Sequence, residues 1–388
     1  MNTDECAGFE ATRIQQVSAL LIPCFAYVAV LGIPMEFSGI IDTYNVGTST
    51  ATIATTIHVS CIGLASLFVS LALSRLNPRT TFILGIFLAV LGQIAMLVSP
   101  DLYAAVAARG ISGVGEGLCI GIGFASLAQM AGGTKLLGYS PGISAAITLS
   151  AFIAVPSANA LIGPRAIFWM LLVGYLALLP LAFKLPSHRL KKLAADISEG
   201  AFNLRSFCLF ALCLLSSMGA NTLWLYFEQA GQNAHLNYSQ IGMLGSVSML
   251  ACIFVPPFAN YVFDKTQGIT PLLTVCLIMA VTSRLFVVPN NIIFTIIVVA
   301  MSCLYLFVLA YARMYSASFD NSGRTTAAVS GADSLGMVVG PIIVALSLNL
   351  DSEFSPLGDF GALMQILCIV PAALLLLKRR VKGTQASS

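Results

Sequence analysis

The sequence predicts an all-α integral membrane protein of twelve transmembrane helices, arranged as two six-helix bundles around a central cavity. Three observations lead there. Of the 388 residues, 58% are hydrophobic and only 9% are charged, whereas a soluble domain carries roughly 25% charged residues to cover its surface. The apolar residues fall in twelve blocks, each near the roughly 20 residues that a helix needs to cross a ~30 Å hydrocarbon core. Lysine and arginine sort almost entirely to one side of those blocks, as membrane insertion favours on the cytoplasmic face.

Helix 1 is expected over 15–38, behind Arg13 and with Glu36 near its end. It is too long for a signal-peptide core and lacks a small-x-small cleavage site, so it reads as an uncleaved first span. Helix 2, 50–73, holds His58, and a basic loop with Arg75 and Arg79 leads to helix 3, 80–99. Helix 4, 102–130, contains both Arg109 and Glu116. Helix 5, 139–162, is divided from helix 6, 165–184, by Gly163-Pro164, a pair that punctuates helical structure. The polar stretch 186–205, "PSHRLKKLAADISEGAFNLR", joins an N-terminal bundle, 1–185, to a C-terminal bundle, 206–388.

Helix 7, 206–229, carries Asn221, Trp224 and Glu228 on one face, and helix 8, 239–263, runs into a loop with Asp264 and Lys265. Helix 9, 271–289, contains Arg284, and helix 10, 291–317, contains Tyr305 and Arg313. Ser322-Gly323-Arg324 offers a cap and a hinge before helix 11, 325–349, which bears Asp333; helix 12, 360–378, follows. Arg13 and Glu36 frame helix 1 at the same spacing at which Arg205 and Glu228 frame helix 7, as a parallel duplication of six spans would produce.

With twelve spans and a cytoplasmic N-terminus, Arg165 is the only basic residue on the outer side, and Arg109, Arg284 and Arg313 lie within spans. Both chain ends are then expected to be cytoplasmic, in a multi-pass membrane protein. Nine of the ten cysteines stand singly in apolar stretches with no CxxC, so they read as small buried hydrophobes and not as metal or redox groups.

Three local patterns resemble motifs of the major facilitator superfamily. "RGISGVGEG" (109–117) is similar to its fourth-helix motif R-x-x-Q-G-x-G, with Ser112 at the Gln, and "NYVFDKTQG" (260–268) is similar to its loop motif G-x-x-x-D-R/K-x-G, with Asn260 at the first Gly. The matching loop of the first half, "SLALSRLNPR" (70–79), departs from the motif: Ser70 and Ser74 replace Gly and Asp, while Arg75 and Arg79 keep its basic character. "GMVVGP" (336–341) resembles the family's GxxxGP element, which marks helix 5 of drug antiporters but stands here in helix 11. The resemblance covers essentially the whole chain and implies a secondary transporter in which helices 1, 4, 7 and 10 line the cavity. Glu36, Arg109, Glu116, Glu228 and Arg313 fall on those helices; His58, Arg284 and Asp333 do not. It also implies a cytoplasmic gate of docking loops, with Arg75, Arg79, Asp264, Lys265 and Arg324 as candidates, that breaks when the inner side opens.

The embedded charges carry the chemistry. Arg109 and Glu116 are seven residues apart, which places them on one helix face, about 20° apart in rotation and ~10 Å apart along the axis. Gly113, Gly117 and Gly121 form a stripe of small residues beside them, where a neighbouring helix can approach closely. A charge at the bilayer centre costs at least ~2.5–3.5 kcal/mol, so the pair is expected to border a hydrated passage.

Glu116 is the first candidate for a proton carrier, because desolvation and a nearby cation act oppositely on a carboxylate and a moving cavity alternates them. Arg109 binds an anionic group or tunes Glu116; alternatively the pair only ties helices together. Glu36 and Glu228 close their helices on the outer side, as gate residues or solvated rim charges. Asp333 needs a buried partner and is a further proton-coupling candidate. Arg313 and Arg284 stand near helix ends, from which they can snorkel to water; Arg313, on a cavity-lining helix, is also a candidate for substrate contact. His58 suits a proton relay or a structural donor role. Asn221, Trp224, Tyr27 and Tyr305 are candidate walls of a mostly apolar pocket.

No GxxxxGK[ST] nucleotide loop occurs, and the three histidines, His58, His188 and His235, are scattered. The expectation is therefore a monomeric transporter without metal or cofactor and without a nucleic-acid partner, moving a small organic solute by alternating access on the proton gradient. Export of a hydrophobic or amphipathic compound and uptake of an organic anion are the two competing directions. An integral-membrane enzyme would want paired histidines, and a sensor would want a soluble output domain; the sequence offers neither.

Overall fold

The computed structural model describes residues 10–185, 203–347 and 355–376. Ten of the described helices are long and apolar enough to cross a bilayer, and two shorter apolar helices, Ala166–Ala182 and Thr270–Phe286, stand at helices 6 and 9. The twelve expected crossings are present in order. Large apolar side chains such as Leu64, Phe68, Phe87, Val173 and Ile296 remain more than half exposed, the surface that lipid covers and water does not tolerate in quantity.

Several helices exceed their expected bounds, and each difference has a local reason. Helix 1 runs in three pieces, Arg13–Ala26, Val28–Leu31 and Ile33–Tyr44, with breaks at Tyr27 and Gly32. Glu36 therefore sits inside a continuing helix and not at its end. Helix 5 occupies Gly133–Ile162, entered from Gly132 in the left-handed region at φ 73°, a conformation that costs glycine little. Helix 7 begins at Leu204 with the Asn203 side chain accepting from the Ser206 N–H at 3.0 Å, so Arg205 belongs to its first turn and not to the linker. The linker residues 186–202 lie outside the described residues, as do the basic residues expected after helix 12.

Helix 7 continues as Phe227–Asn233 after a break at Tyr226. Helix 8 is split into Tyr238–Cys252 and Val255–Thr266, with Pro256 and Pro257 in the first turn of the second piece, because proline has no N–H to continue the hydrogen-bond ladder and its ring clashes with the carbonyl one turn back. Helices 2, 3, 4 and 10 are Thr48–Ala72, Pro78–Val98, Leu102–Gln129 and Asn291–Phe319. Helix 11 is Arg324–Ser347 and helix 12 spans Ser355–Leu376.

Helices 2 and 3 pack along helix 4 in one bundle, helices 11 and 12 along helix 7 in the other, and the bundles meet along helices 2 and 11 and along helix 5 with helices 8 and 10. The glycine stripe of helix 4 faces helix 2: a Cβ on Gly113 would come 2.5 Å from the His58 carbonyl oxygen, and one on Gly121 3.0 Å from Val69 Cβ. The missing side chain at Gly113 is what lets the His58 segment lie against Arg109 and Glu116. At the seam between bundles Gly63 does the same for helix 11, where a Cβ would come 2.9 Å from Leu335 Cγ.

Candidate transport site

A cavity of about 500 Å³ lies between the bundles, lined among others by Ile33 and Phe37 of helix 1, Thr55 and Val59 of helix 2, Trp224, Phe227 and Glu228 of helix 7, and Pro341 of helix 11. These belong to the late parts of helices 1, 7 and 11 and the early part of helix 2, so the cavity sits toward the face opposite the chain's ends. A deeper recess of about 40 Å³ is floored by Asn221, Tyr305, Met301 and Phe286, and shares Asn221, Trp224 and Met337 with the larger space. Trp224 stacks on Phe227 with centroids 5.0 Å apart, which fixes the aromatic wall.

The face carrying the chain's ends is closed. Ser66 and Ser70 of helix 2 donate to the carbonyl oxygens of Ala327 and Arg324 at 3.2 and 2.8 Å, and Gln129 Nε2 donates to the Ser322 carbonyl at 2.5 Å. Of the five residues expected to gate this face, two reach across among the described residues. Asp264 meets Lys135 at 4.0 Å, and Arg324 contributes its main-chain oxygen. Arg79 is spent within its own bundle on the Leu185 carbonyl at 2.7 Å, and Lys265 turns back to Tyr261 on its own helix. Arg75 ends the short turn Leu73–Arg75 and stays exposed. With Ser70 in place of the expected Gly, the first loop makes a hydroxyl-to-carbonyl bond across the bundles, and among the described residues it makes no charge lock.

Two buried polar clusters flank this architecture. The first lies wholly inside the N-terminal bundle. Arg109 pairs with Glu36 through Nη2, and the same nitrogen is 2.6 Å from His58 Nδ1. His58 Nε2 lies 2.6 Å from Glu116 Oε2, whose other oxygen accepts from Gln93 Nε2 at 3.3 Å. A guanidinium can only donate and an ionised carboxylate only accept, so the neutral imidazole accepts at Nδ1 and carries its proton on Nε2. The Phe168 ring lies 5.5 Å from the Arg109 guanidinium carbon.

Glu36, His58, Arg109 and Glu116 are all fully buried. Among the described residues, Glu36 Oε1, Gln93 Oε1 and Arg109 Nε and Nη1 have no hydrogen-bond partner, and the buried Tyr175 hydroxyl faces Glu116 without a bond of ordinary geometry.

This corrects three expectations. Arg109 and Glu116 do not border the passage: no member of the cluster lines the cavity, and helices 1 and 2 stand between. Glu36 is not a rim charge, because helix 1 continues past it. His58 is not a lone histidine, because the Gly113 gap seats it between the two charges.

The second cluster spans the bundles. Asp333 of helix 11 is buried and accepts from the hydroxyls of Tyr27, on helix 1, and Tyr305, on helix 10. Its main-chain oxygen accepts from Ser217 Oγ at 2.5 Å, and Asn221 Nδ2 donates to Ser217 Oγ and to the Tyr305 oxygen, both at 2.7 Å. Arg313 does not snorkel to water. Its guanidinium carbon lies 4.1 Å from the Phe124 ring centre and 5.0 Å from that of Tyr27, and Nη1 donates to Ser140 Oγ at 3.0 Å.

Asn221 and Trp224 line the cavity and Tyr305 its deeper recess, whereas Tyr27 lies behind, against Asp333. Glu228 is exposed at the cavity's edge beside Gln232. Arg284 is exposed and paired with Asp359. The sequence reading missed Gln93, Tyr175, Ser140, Phe124 and Ser217. Only Gln93, an amide in the middle of an otherwise apolar helix, carried a visible signal.

A family model described as Major Facilitator Superfamily matches residues 19–341. Two solved structures share the fold. One is the proton:xylose symporter XylE bound to 6-bromo-6-deoxy-D-glucose, with a TM-score of 0.68, 13% identity and coverage of 92% of this chain and 93% of that one. The other is the human organic anion transporter MFSD10 (TETRAN), with a TM-score of 0.73, 13% identity and coverage of 94% and 99%. No curated protein sequence matches the chain.

Proposed function

The chain belongs to the major facilitator superfamily and is a multi-pass membrane transporter of the secondary type, and we propose that it exports a hydrophobic or amphipathic solute, neutral or cationic, in exchange for protons. Both chain ends are then cytoplasmic and the described state opens outward.

The observation that carries the cargo class is the cavity wall. Among the described residues that line it, aromatic and aliphatic side chains predominate and Glu228 is the one that bears a charge. An organic anion needs a cation to receive it, and none is available there. Arg109 and Arg313 are buried in the two clusters, and Arg284 is bound to Asp359. Although one structural neighbour carries organic anions, this cavity disfavours them.

Support for proton coupling comes from the charge count of the first cluster. Two carboxylates, Glu36 and Glu116, share one guanidinium and a neutral histidine in a site without water access. One added proton makes the group neutral, which a buried site favours. The outer piece of helix 1 links that proton to the cargo. It presents Glu36 to the cluster from one side, while Ile33, Pro34, Phe37 and Ser38 line the cavity from the other.

The test uses proteoliposomes clamped at zero potential, with tetraphenylphosphonium as a permanently charged lipophilic probe and fluorescein as an organic anion. An acidic lumen is expected to drive tetraphenylphosphonium uptake above protein-free vesicles, with fluorescein unmoved. Uptake of fluorescein under an acidic exterior is the result that replaces this reading with anion symport. Glu116→Gln is expected to lower gradient-driven uptake at least about tenfold and to keep probe exchange within about threefold of the parent. Gradient-driven uptake with its pH dependence intact in that variant removes Glu116 as the proton carrier.

A further inference from the structure

Asp333 and Arg313 carry opposite charges, both fully buried on adjacent helices of the same bundle, and yet they do not pair. Tyr27, from the other bundle, stands at both: its hydroxyl donates to Asp333 and its ring carries the guanidinium 5.0 Å from its centre. The opposite bundle thus supplies one of the two hydroxyls on the Asp333 carboxylate, the other being Tyr305 of its own bundle, and the ring and hydroxyl contacts of Arg313. Asp333 takes Tyr27, and Arg313 takes Tyr27, Phe124 and Ser140. Arg313 Nε and Nη2 are buried with no hydrogen-bond partner among the described residues, although a buried donor left unmade is costly. The guanidinium therefore holds spare capacity for an acceptor it does not meet in this state.

We infer that Asp333 exchanges partners during transport, leaving Tyr27 of the N-terminal bundle for Arg313 of its own bundle when the bundles part on the face carrying the chain's ends. Parting removes Tyr27, Phe124 and Ser140 together. Unless the two charges then find each other, Arg313 is stranded in a site of low polarity and Asp333 keeps only the Tyr305 hydroxyl, which is strongly unfavourable. Their mutual pairing offsets the lost contacts and brings the two states close enough in free energy to interconvert.

The exchange is also connected to the cavity. Tyr305, which supplies the second hydroxyl to Asp333, lines the deeper recess together with Asn221, which donates to it at 2.7 Å. A solute that draws on Asn221 or Tyr305 loosens Asp333 from its present partners. Tyr27, Asp333 and Arg313 act here as positioning residues and do not touch the cargo. The inference rests on the alternating-transporter reading but not on cargo or proton, so its test needs neither.

Lys135 and Asp264, exposed and 4.0 Å apart across the bundles, are replaced by cysteine and spin-labelled in full-length protein in which Cys6, Cys61 and Cys303 are alanine. The distance distribution between the labels reports the closed and parted states. Tyr27→Phe keeps the ring under Arg313 and removes only the hydroxyl. It is expected to raise the parted-to-closed ratio about tenfold, the size of one hydrogen bond to a charged group.

In Tyr27→Phe/Arg313→Gln and Tyr27→Phe/Asp333→Asn that rise is expected to disappear, because the new pair cannot form, while Tyr27→Phe/Arg313→Lys retains most of it. A rise that persists undiminished in the Gln and Asn double variants overturns the inference, because the hydroxyl then matters only for packing. An unchanged ratio in Tyr27→Phe overturns it as well. A silent transport assay with the expected distance shifts would instead count against the proposed cargo and leave the partner exchange standing.

Discussion

The two buried clusters contain the same kinds of groups but differ in which bundle supplies them. Glu36, His58, Arg109 and Glu116 come from helices 1, 2 and 4 of one bundle, so a rigid movement of that bundle carries the cluster along intact. Asp333 and Arg313 are held by side chains of both bundles, so the same movement must remake their contacts. A site of the first kind is suited to holding a bound proton while the bundle moves from one access state to the other. A site of the second kind is suited to registering which state the molecule is in.

The largest effect expected to sharpen this contrast comes from removing each cation in turn. Arg109→Met leaves Glu36 and Glu116 buried with no cation, a loss of ~3–5 kcal/mol for breaking a buried pair from one side. Arg313→Met leaves Asp333 with both tyrosine donors in place and forfeits mainly the ring contacts, ~2 kcal/mol when desolvated, and one hydrogen bond. Thermal unfolding of the detergent-solubilised variants measures both. Equal destabilisation by the two changes breaks the distinction between the clusters.

The sequence made the twelve crossings legible because hydrophobic block length and basic-residue placement are one-dimensional signals. It also pointed to Glu116, Arg109 and Asp333, since an ionisable residue in an apolar block is conspicuous wherever it packs. What it did not reveal was partnership. Glu36 joins Arg109 only because helix 1 continues past Pro34 and Glu36 to Tyr44, and nothing in the residues 36–44 marks that continuation against an ordinary helix end. The face of Arg109 and Glu116 was deduced correctly from their spacing, but the spacing gave no direction. It was the Gly113 contact with helix 2 that turned the pair toward the bundle interior and away from the cavity. Tyr27 was placed on a cavity wall by its helix, whereas the break at that residue and the charge on helix 11 put it between the bundles.

That glycine contact gives a second, smaller test. A Cβ at Gly113 would stand 2.5 Å from the His58 carbonyl oxygen, whereas one at Gly242 meets nothing within 4 Å. Gly113→Ala is therefore expected to cost ~1–3 kcal/mol through overpacking and to pull His58 out of register with Arg109 and Glu116, lowering gradient-driven uptake more than exchange. Gly242→Ala is expected to be neutral or to stabilise by up to ~1 kcal/mol, the helix-propensity gain of alanine over glycine. Similar losses at both positions in thermal unfolding argue that Gly113 is ordinary helix packing and does not seat the histidine.

The smallest expected effect separates the tyrosines of the two clusters. Tyr175 and Tyr305 are both buried beside a carboxylate, Glu116 and Asp333 respectively. The Tyr305 hydroxyl is fully engaged, donating to Asp333 and accepting from Asn221, while the Tyr175 hydroxyl makes no bond of ordinary geometry. Deleting a hydroxyl that donates to a charged group costs ~1.5–3 kcal/mol, but deleting one that is already unsatisfied removes a desolvation penalty along with the group. Tyr305→Phe is accordingly expected to destabilise by that amount, and Tyr175→Phe to stay within about 0.5 kcal/mol of the parent. A loss at Tyr175 as large as that at Tyr305 means that its hydroxyl does bond Glu116. Tyr175 of helix 6 then joins the first cluster, and the carboxylate proposed to carry the proton is bonded from three neighbouring helices, 2, 3 and 6, and not from two.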